Sequence, residues 1–349
     1  MNGGPMKRLF LIAIFVCFVS SVHAQSTVID QQISGTVTDA GGAVVPNATI
    51  EITNEGTGLV RTVTSNADGN YVATDLPVGS YTISTSVSGF KKFVSQHVAV
   101  EVGGKPSVPI TLQVGEQTQT ITVQANAVAV QTATSEVGHL VTGEEATQIQ
   151  LNGRNYMQLM TLAPGVSSTV SSQFNLFTTY GVAGSDQSVN GNRTDTFNYN
   201  IDGVDNKDNG GGGNNFVNIS PDALSEFKTV ASGYSAAYGG SSGATVSVAI
   251  KTGTQSFHGG TYEYLRNRVI QAYAFQPGTA LVTNPTKPQL VYNNFGGEVG
   301  GPIYIPALQH SQRQTLFFHR AGLQARADVD CDAVDGADAK RKARQFFGC

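Results

Sequence analysis

The strongest constraint on the fold is a set of short runs in which apolar or β-branched residues alternate with polar ones. Ile33-Ser34-Gly35-Thr36-Val37-Thr38 and Thr49-Ile50-Glu51-Ile52-Thr53 open the series. Val60-Arg61-Thr62-Val63, Tyr71-Val72-Ala73, Tyr81-Thr82-Ile83-Ser84-Thr85, Val98-Ala99-Val100-Glu101 and the run 108–112 continue it. A period of two sends successive side chains to opposite faces of an extended chain, so one face can be buried while the other meets water. A helix cannot bury that pattern. Turn formers punctuate the runs: Gly41-Gly42, Asn54-Glu55-Gly56, Asp68-Gly69 and Pro77-Val78-Gly79. Asp68-Gly69 between two runs predicts a hairpin. About seven strands within 32–114 predict a two-sheet β-sandwich.

The rest of the chain is built for strands and turns as well. Its 349 residues suffice for two or three domains. Charged residues make up 13%, where soluble domains carry about 25%. Glycine is abundant at 40 residues, with many Ser, Thr and Asn. The net charge of −4 gives no reason to expect a nucleic-acid partner. Three cysteines are too few for a disulfide framework.

The first residues carry an export signal. Lys7 and Arg8 precede an apolar run over 9–22, which is short for a membrane span. Val22-His23-Ala24 fits the cleavage site, so 1–24 is expected to be removed and Gln25 to become the first residue. Cys17 lacks the small residues of a lipoprotein signal before it. After residue 24 no apolar run is long enough for a transmembrane helix, so membrane contact would require a β-barrel.

Between 149 and 166 stands a different pattern. Leu151-Asn152-Gly153-Arg154-Asn155 is a polar turn with one glycine. Tyr156, Met157, Leu159, Met160 and Leu162 follow at helical spacing, and Ala163-Pro164-Gly165 stops the run. On periodicity alone this is a short amphipathic helix between loops. Ser220-Pro221-Asp222 predicts a second helix start, with Ala223, Leu224 and Phe227 as its apolar face. The run 244–250 predicts a buried strand.

Several motifs resemble known families. "SGTVTDAGGAVVPNATIEI" and "TSNADGNYVATDLPVGSYTISTSVSGF" resemble the carboxypeptidase-regulatory-like domain, grouped with carbohydrate-binding-like folds. "LNGRN", a short helix and "LAPGV" resemble the plug domain of TonB-dependent outer-membrane receptors, in particular the Oar-like branch. "VNGNRTDTFNYNIDGVDNKD" and "SEFKTVASGYSAAYGGSSGATVSVAIKTGT" match that plug in the same order. "FHGGTYEYLRN", "YNNFGGEVGGPIYIP" and "QTLFFH" resemble the first barrel strands. From this resemblance the expected fold is mainly β: an Ig/prealbumin-like β-sandwich over 32–114, an α+β plug over 128–252 and a partial β-barrel hairpin region over 253–320. The expected plug motif is Leu151, Asn152, Gly153, Arg154 and Asn155, with Asp202 and Gly203. The linker 115–127 contains Thr120, Ile121, Thr122 and Val123. These four residues form either a plain last strand or a TonB box, a strand that adds to a partner's sheet edge. The implied partners are a TonB-like energising protein in the periplasm and the outer membrane.

Other chemistry is weaker. No HxxE or HExxH pair occurs among the six histidines, so no zinc site is expected. Gly239-Gly240-Ser241-Ser242-Gly243 fits GxSxG, but a strand-like run follows it where a nucleophile elbow needs a helix. Asp202, Asp205 and Asp208 lack the alternating spacing of a calcium loop and are expected to serve as turn residues. No catalytic residue, cofactor or metal is expected. The tail 321–349 contains no Ser, Thr or Asn and is expected to be atypical, the mark of a truncated or frame-shifted product unable to transport alone. The expected function is the N-terminal portion of a TonB-dependent transporter. The alternative is a secreted or surface sandwich that binds carbohydrate or protein.

Overall fold

The computed structural model describes residues 31–116, 120–124, 135–168, 187–194, 196–208, 215–217, 219–235, 238, 240, 242–267, 269–270, 291–303 and 315–326. The expected export segment 1–24 lies outside them. The chain divides into two compact units, Met1–Lys251 and Thr252–Cys349. The fold is mainly β.

The first part of the first unit is the sandwich. Strands β1 (Gln32–Asp39), β4 (Asn70–Thr74) and β7 (Ile110–Leu112) form one sheet in the order β4-β1-β7. Strands β2 (Thr49–Asn54), β3 (Val60–Thr64), β5 (Gly79–Thr85), β6 (Lys92–Val100) and β8 (Thr120–Gln124) form the other, in the order β3-β2-β5-β6-β8. The inward positions of the alternation, among them Ile33, Ile50, Ile52, Ile83, Ile110 and Leu112, are fully buried in one core. Each such side chain contributes roughly 1.5–3 kcal/mol. Tyr71 belongs to that core, and its hydroxyl donates to the Val108 carbonyl at 2.7 Å. Burial pushes its pKa up, so it stays a neutral donor.

Two details differ from the sequence expectation. Asp68-Gly69 does not close a hairpin. The side chain of Asn66 accepts from the N–H groups of Asp68 and Asn70 and closes a tight turn, but β3 pairs with β2 and β4 with β1, so the chain crosses between sheets there. Strand β6 also starts earlier than the expected run at Val98. Phe93 and Ser95 point inward, then Val98 and Val100, because the ladder shifts register across Gln96 and His97. His97 takes a left-handed φ of 59° there.

The second part of the first unit is a mixed five-stranded sheet. Its strands are β9 (Val137–Thr142), β12 (Phe197–Ile201), β13 (Val204–Asp205), β14 (Leu224–Ser232) and β15 (Ala244–Ile250), in the order β13-β12-β15-β14-β9. Only β12 and β15 run parallel; the other pairs are antiparallel. A short helix, α1 (Gly143–Gln148), follows β9 and starts with a capping box of Thr142 and Glu145. A 3-10 helix, Tyr156–Leu162, lays Tyr156, Met157, Leu159 and Met160 on the sheet, where they share one core with Phe197, Phe227 and Val246. Tyr156 and Phe227 meet edge to face at 6.1 Å. Leu162, expected on the apolar face, is 44% exposed. Strands β10 (Val166–Ser168) and β11 (Gln187–Val189) pair beside this core.

The expected helix at Pro221 is a single 3-10 turn, Pro221–Ala223, and β14 begins at once. Leu224 and Phe227 are strand residues. Phe227, Thr229 and Ala231 repeat with period two, and that pattern, paired on both sides by β9 and β15, overrides the helix-start signal.

The second unit contains an antiparallel meander of β16 (His258–Asn267), β17 (Val291–Ile303) and β18 (Thr315–Arg326). Strand β18 continues through Arg320, where composition suggested a break, as far as Arg326. Its backbone pairs with β17 from Ile303↔Thr315 to Tyr292↔Arg326. The atypical composition therefore begins inside a strand.

Candidate functional site

The turn at Leu151 is built by two successive left-handed residues, Gly153 (φ 65°) and Arg154 (φ 56°). Glycine adopts that backbone freely; arginine does so at a cost and is held by its surroundings. The Arg154 N–H closes the turn on the Leu151 carbonyl at 3.1 Å. Its guanidinium Nη2 donates to Asp222 Oδ2 at 3.0 Å, with the two side chains 6% and 10% exposed. The Ser220 hydroxyl donates to the same carboxylate oxygen at 2.9 Å. The next residue, Asn155, caps the 3-10 helix by accepting from the Met157 N–H at 3.0 Å. Tyr156 then accepts a hydrogen bond from Asn215 Nδ2 at 2.8 Å deep in the core. Five consecutive residues thus close a turn, start a helix and lock both to the one-turn element before β14. For Asn152 the backbone place in this turn is what the structure gives.

Asp202 and Gly203 stand elsewhere, at the tip of the β12–β13 hairpin. Both have positive φ, 47° and 82°, the geometry of a two-residue type I′ turn. Asp202 Oδ1 accepts from the Ile250 N–H at 3.1 Å, and its own N–H donates to the Val248 carbonyl at 2.8 Å. Burial pushes its carboxyl upward in pKa, partly offset by the Ile250 N–H. The turn therefore clips the end of β15. Its neighbour Asp205 accepts from the Lys207 N–H, a turn contact. Among the described residues no cluster of His, Cys, Asp and Glu could hold a metal ion. The GxSxG stretch falls partly outside the described residues.

Thr120, Ile121, Thr122 and Val123 lie in β8, paired in parallel with Lys92, Phe93, Val94 and Ser95 of β6. Among the described residues β8 ends the sheet order, so no described strand pairs with its second edge.

Sequence inspection missed three groups that hold the mixed sheet together. Asp222 is the counter-ion of Arg154. Lys228 and Glu136 form a second enclosed pair at 3.0 Å, with side chains 10% and 13% exposed. For Lys228 the available signal was a charged residue inside an otherwise apolar strand run; Asp222 and Glu136 stand just outside the strands.

Comparison with known proteins places these elements. The carboxypeptidase regulatory-like domain family matches residues 32–113. The outer membrane beta barrel domain family matches residues 249–327. The TonB-dependent transporter Oar of Myxococcus xanthus is 25% identical over 314 residues, covering 84% of this chain and 27% of that protein. The chain is a relative of the TonB-dependent receptors. It spans about a quarter of the length of that curated relative, 27%. The siderophore receptor PirA of Acinetobacter baumannii superposes with a TM-score of 0.37 at 16% identity, covering 57% of this chain and 26% of that one. A streptococcal ancillary pilin covers 24% of this chain and 32% of its own length, with a TM-score of 0.21 at 11% identity. For this receptor relative the barrel-family match ends one residue past β18, beyond the compositional break at Ala321.

Proposed function

We propose that this chain forms part of a TonB-dependent outer-membrane transporter, with 128–252 as its plug. The observation that carries this is the position of the mixed sheet. It lies between a regulatory-like sandwich and a stretch matching an outer-membrane barrel, and the Leu151–Asn155 turn is locked into its core through Arg154 and Asp222. A plug must keep its shape inside a lumen, and an enclosed ion pair with edge-to-face aromatics supplies such rigidity. The curated relative is a transporter, and the role assigned here involves no catalytic step.

Strand β8 is the proposed TonB box. It is a short β-branched edge strand that can add to a partner's sheet, and the partner is a TonB-like energising protein of the periplasm. The test is titration of the protein with that partner. Ile121→Pro removes a ladder N–H and should weaken binding at least tenfold, while the urea midpoint of the sandwich shifts little. Unchanged affinity would leave β8 as the last strand of the sandwich. Recovery of the protein from outer-membrane fractions tests the assignment to that membrane.

A further inference from the structure

The sandwich and the mixed sheet meet at a contact that belongs to neither core. After β6 the chain makes a turn at 101–104, closed by the Gly104 N–H on the Glu101 carbonyl at 2.8 Å. Val102 in this turn is 4% exposed, yet it is a member of neither hydrophobic cluster. Its N–H donates to Glu226 Oε2 of β14 at 2.7 Å, across 124 positions of sequence. Lys228, two residues along the same face of β14, holds Glu136 at 3.0 Å. Gly103 has a φ of 65°, and a methyl group there would stand 3.4 Å from Tyr238 Oη and 3.9 Å from Lys228 Nζ. The turn therefore lies directly over the charged stripe of β14.

We propose that this contact is a proton-linked latch, in which the 101–104 turn holds the sandwich against β14 and uptake of a proton by Glu226 tightens the hold. The physical reason is the cost of enclosing a charge. Burial raises the Glu226 pKa to about 7, the Val102 N–H works against that rise, the Glu101 charge adds to it, and Lys228 opposes it. The facing groups are thus Glu101 from the turn, Lys228 from the same strand and Glu136 bound to Lys228. Thr142, opposite Glu226 on β9, is engaged with Glu145. A neutral carboxyl still accepts from Val102 through its carbonyl oxygen, so protonation removes the burial cost and keeps the bond.

The direction follows from linkage. With the sandwich released, Glu226 returns toward its ordinary value of 4.5; docked, it lies near 7. Docking therefore takes up a proton between those values. Its contribution is complete below about 4.5 and is lost as pH rises through 7.

The experiment uses the full chain with spin or dye labels at Arg61 on the sandwich and Thr161 on the 3-10 helix that packs on the mixed sheet, both exposed. The ratio of docked to released protein should rise on the order of tenfold from pH 8 to pH 5.5. Where docking is complete at both values, urea titration reads the same change as a later separation midpoint at pH 5.5. Glu226→Gln, neutral throughout, should stay docked and lose the pH dependence. A carbon-13 titration of the Glu226 carboxyl should fall well above 4.5. A carboxyl titrating at its ordinary value, an opposite pH trend, or an unchanged profile in Glu226→Gln would each overturn the latch.

Discussion

Arg154 and Asp222 are 68 positions apart in sequence, and their buried side chains meet at 3.0 Å. The pair joins the left-handed turn at Gly153 to the one-turn element that starts β14. Removing one partner leaves the other charge enclosed without compensation, which costs about 3–5 kcal/mol. Asp222→Ala should lower the unfolding free energy of this module by that order. The double variant Arg154→Met with Asp222→Leu should recover much of it. Chemical denaturation followed by tyrosine fluorescence measures both. An additive double variant would show that the pair does not couple the two elements.

In the sandwich, Gly35 has no room for a side chain. A methyl group would stand 2.1 Å from the Val108 carbonyl oxygen and 2.8 Å from Tyr71 Cε1. That carbonyl is the acceptor of the Tyr71 hydroxyl, and the Val108 N–H donates to the Ser34 carbonyl of β1 at 2.7 Å, so separating β1 from Val108 breaks a hydrogen bond. Gly35→Ala should cost about 1–3 kcal/mol, read as an earlier urea midpoint with an unchanged slope.

Glu55 carries a pH dependence of the opposite sign to Glu226. Burial works to raise its pKa, but hydrogen bonds from Thr82, the His97 backbone, Ser80 and the His97 ring outweigh it and hold the carboxyl at about 2. A depressed folded-state pKa contributes stability above the ordinary value of 4.5 that is lost as pH falls through 2. Glu55→Gln should therefore destabilise the sandwich at pH 7 and progressively less below pH 4.5. Thermal melts across that range decide it, and a variant effect that grows with acid would contradict the hydrogen-bond account.

Most of the fold was legible because alternation is a local property. The seven early runs each became a strand, and the run 244–250 became β15 from end to end. What escaped was set by distant partners. The register shift at Gln96 and His97 hid the first half of β6, because the inward set moves from odd to even positions there. Asp68-Gly69 has the composition of a hairpin turn, yet pairing elsewhere sends its flanking strands to different sheets. Pro221 signals a helix start locally, but two flanking strands convert the sequel to β14. In the turn at Leu151 the motif residues were visible, whereas the counter-ion Asp222 was not, since no sequence period links positions 68 apart. The Ala- and Arg-rich stretch after Arg320 masked a strand that only β17 defines.

The hairpin of β12 and β13 offers a test of backbone geometry alone. Gly203 has a φ of 82° and follows Asp202, also left-handed. A β-branched residue in that region costs roughly 1–2 kcal/mol. Gly203→Val should loosen the turn and with it the Asp202 clip on Ile250, seen as faster hydrogen exchange at the end of β15. Exchange unchanged from the parent chain would separate the clip from the turn.

The last prediction concerns which face of the meander meets lipid. Backbone alternation and register put Leu265, Phe295 and Val299 on one face of β16 and β17, and they are 56%, 40% and 45% exposed. Tyr262, Tyr264, Asn294 and Glu298 occupy the other face, where the two tyrosine rings lie 5.7 Å apart. A barrel strand in a membrane keeps its apolar set outward and its polar set toward the lumen. Glu263 and Asn293 share the first face, opposite Phe295 and Leu265. On the barrel reading proposed above, Phe295 and Val299 are expected to face lipid, where a charge costs about 2–4 kcal/mol near the bilayer midplane. Phe295→Arg and Val299→Arg should strongly reduce the protein recovered folded from outer membranes. Tyr262→Gln, on the opposite face, should reduce it little. Equal losses from both faces would mean that these strands present no lipid-facing side, and the membrane assignment of β16 to β18 would fall with it.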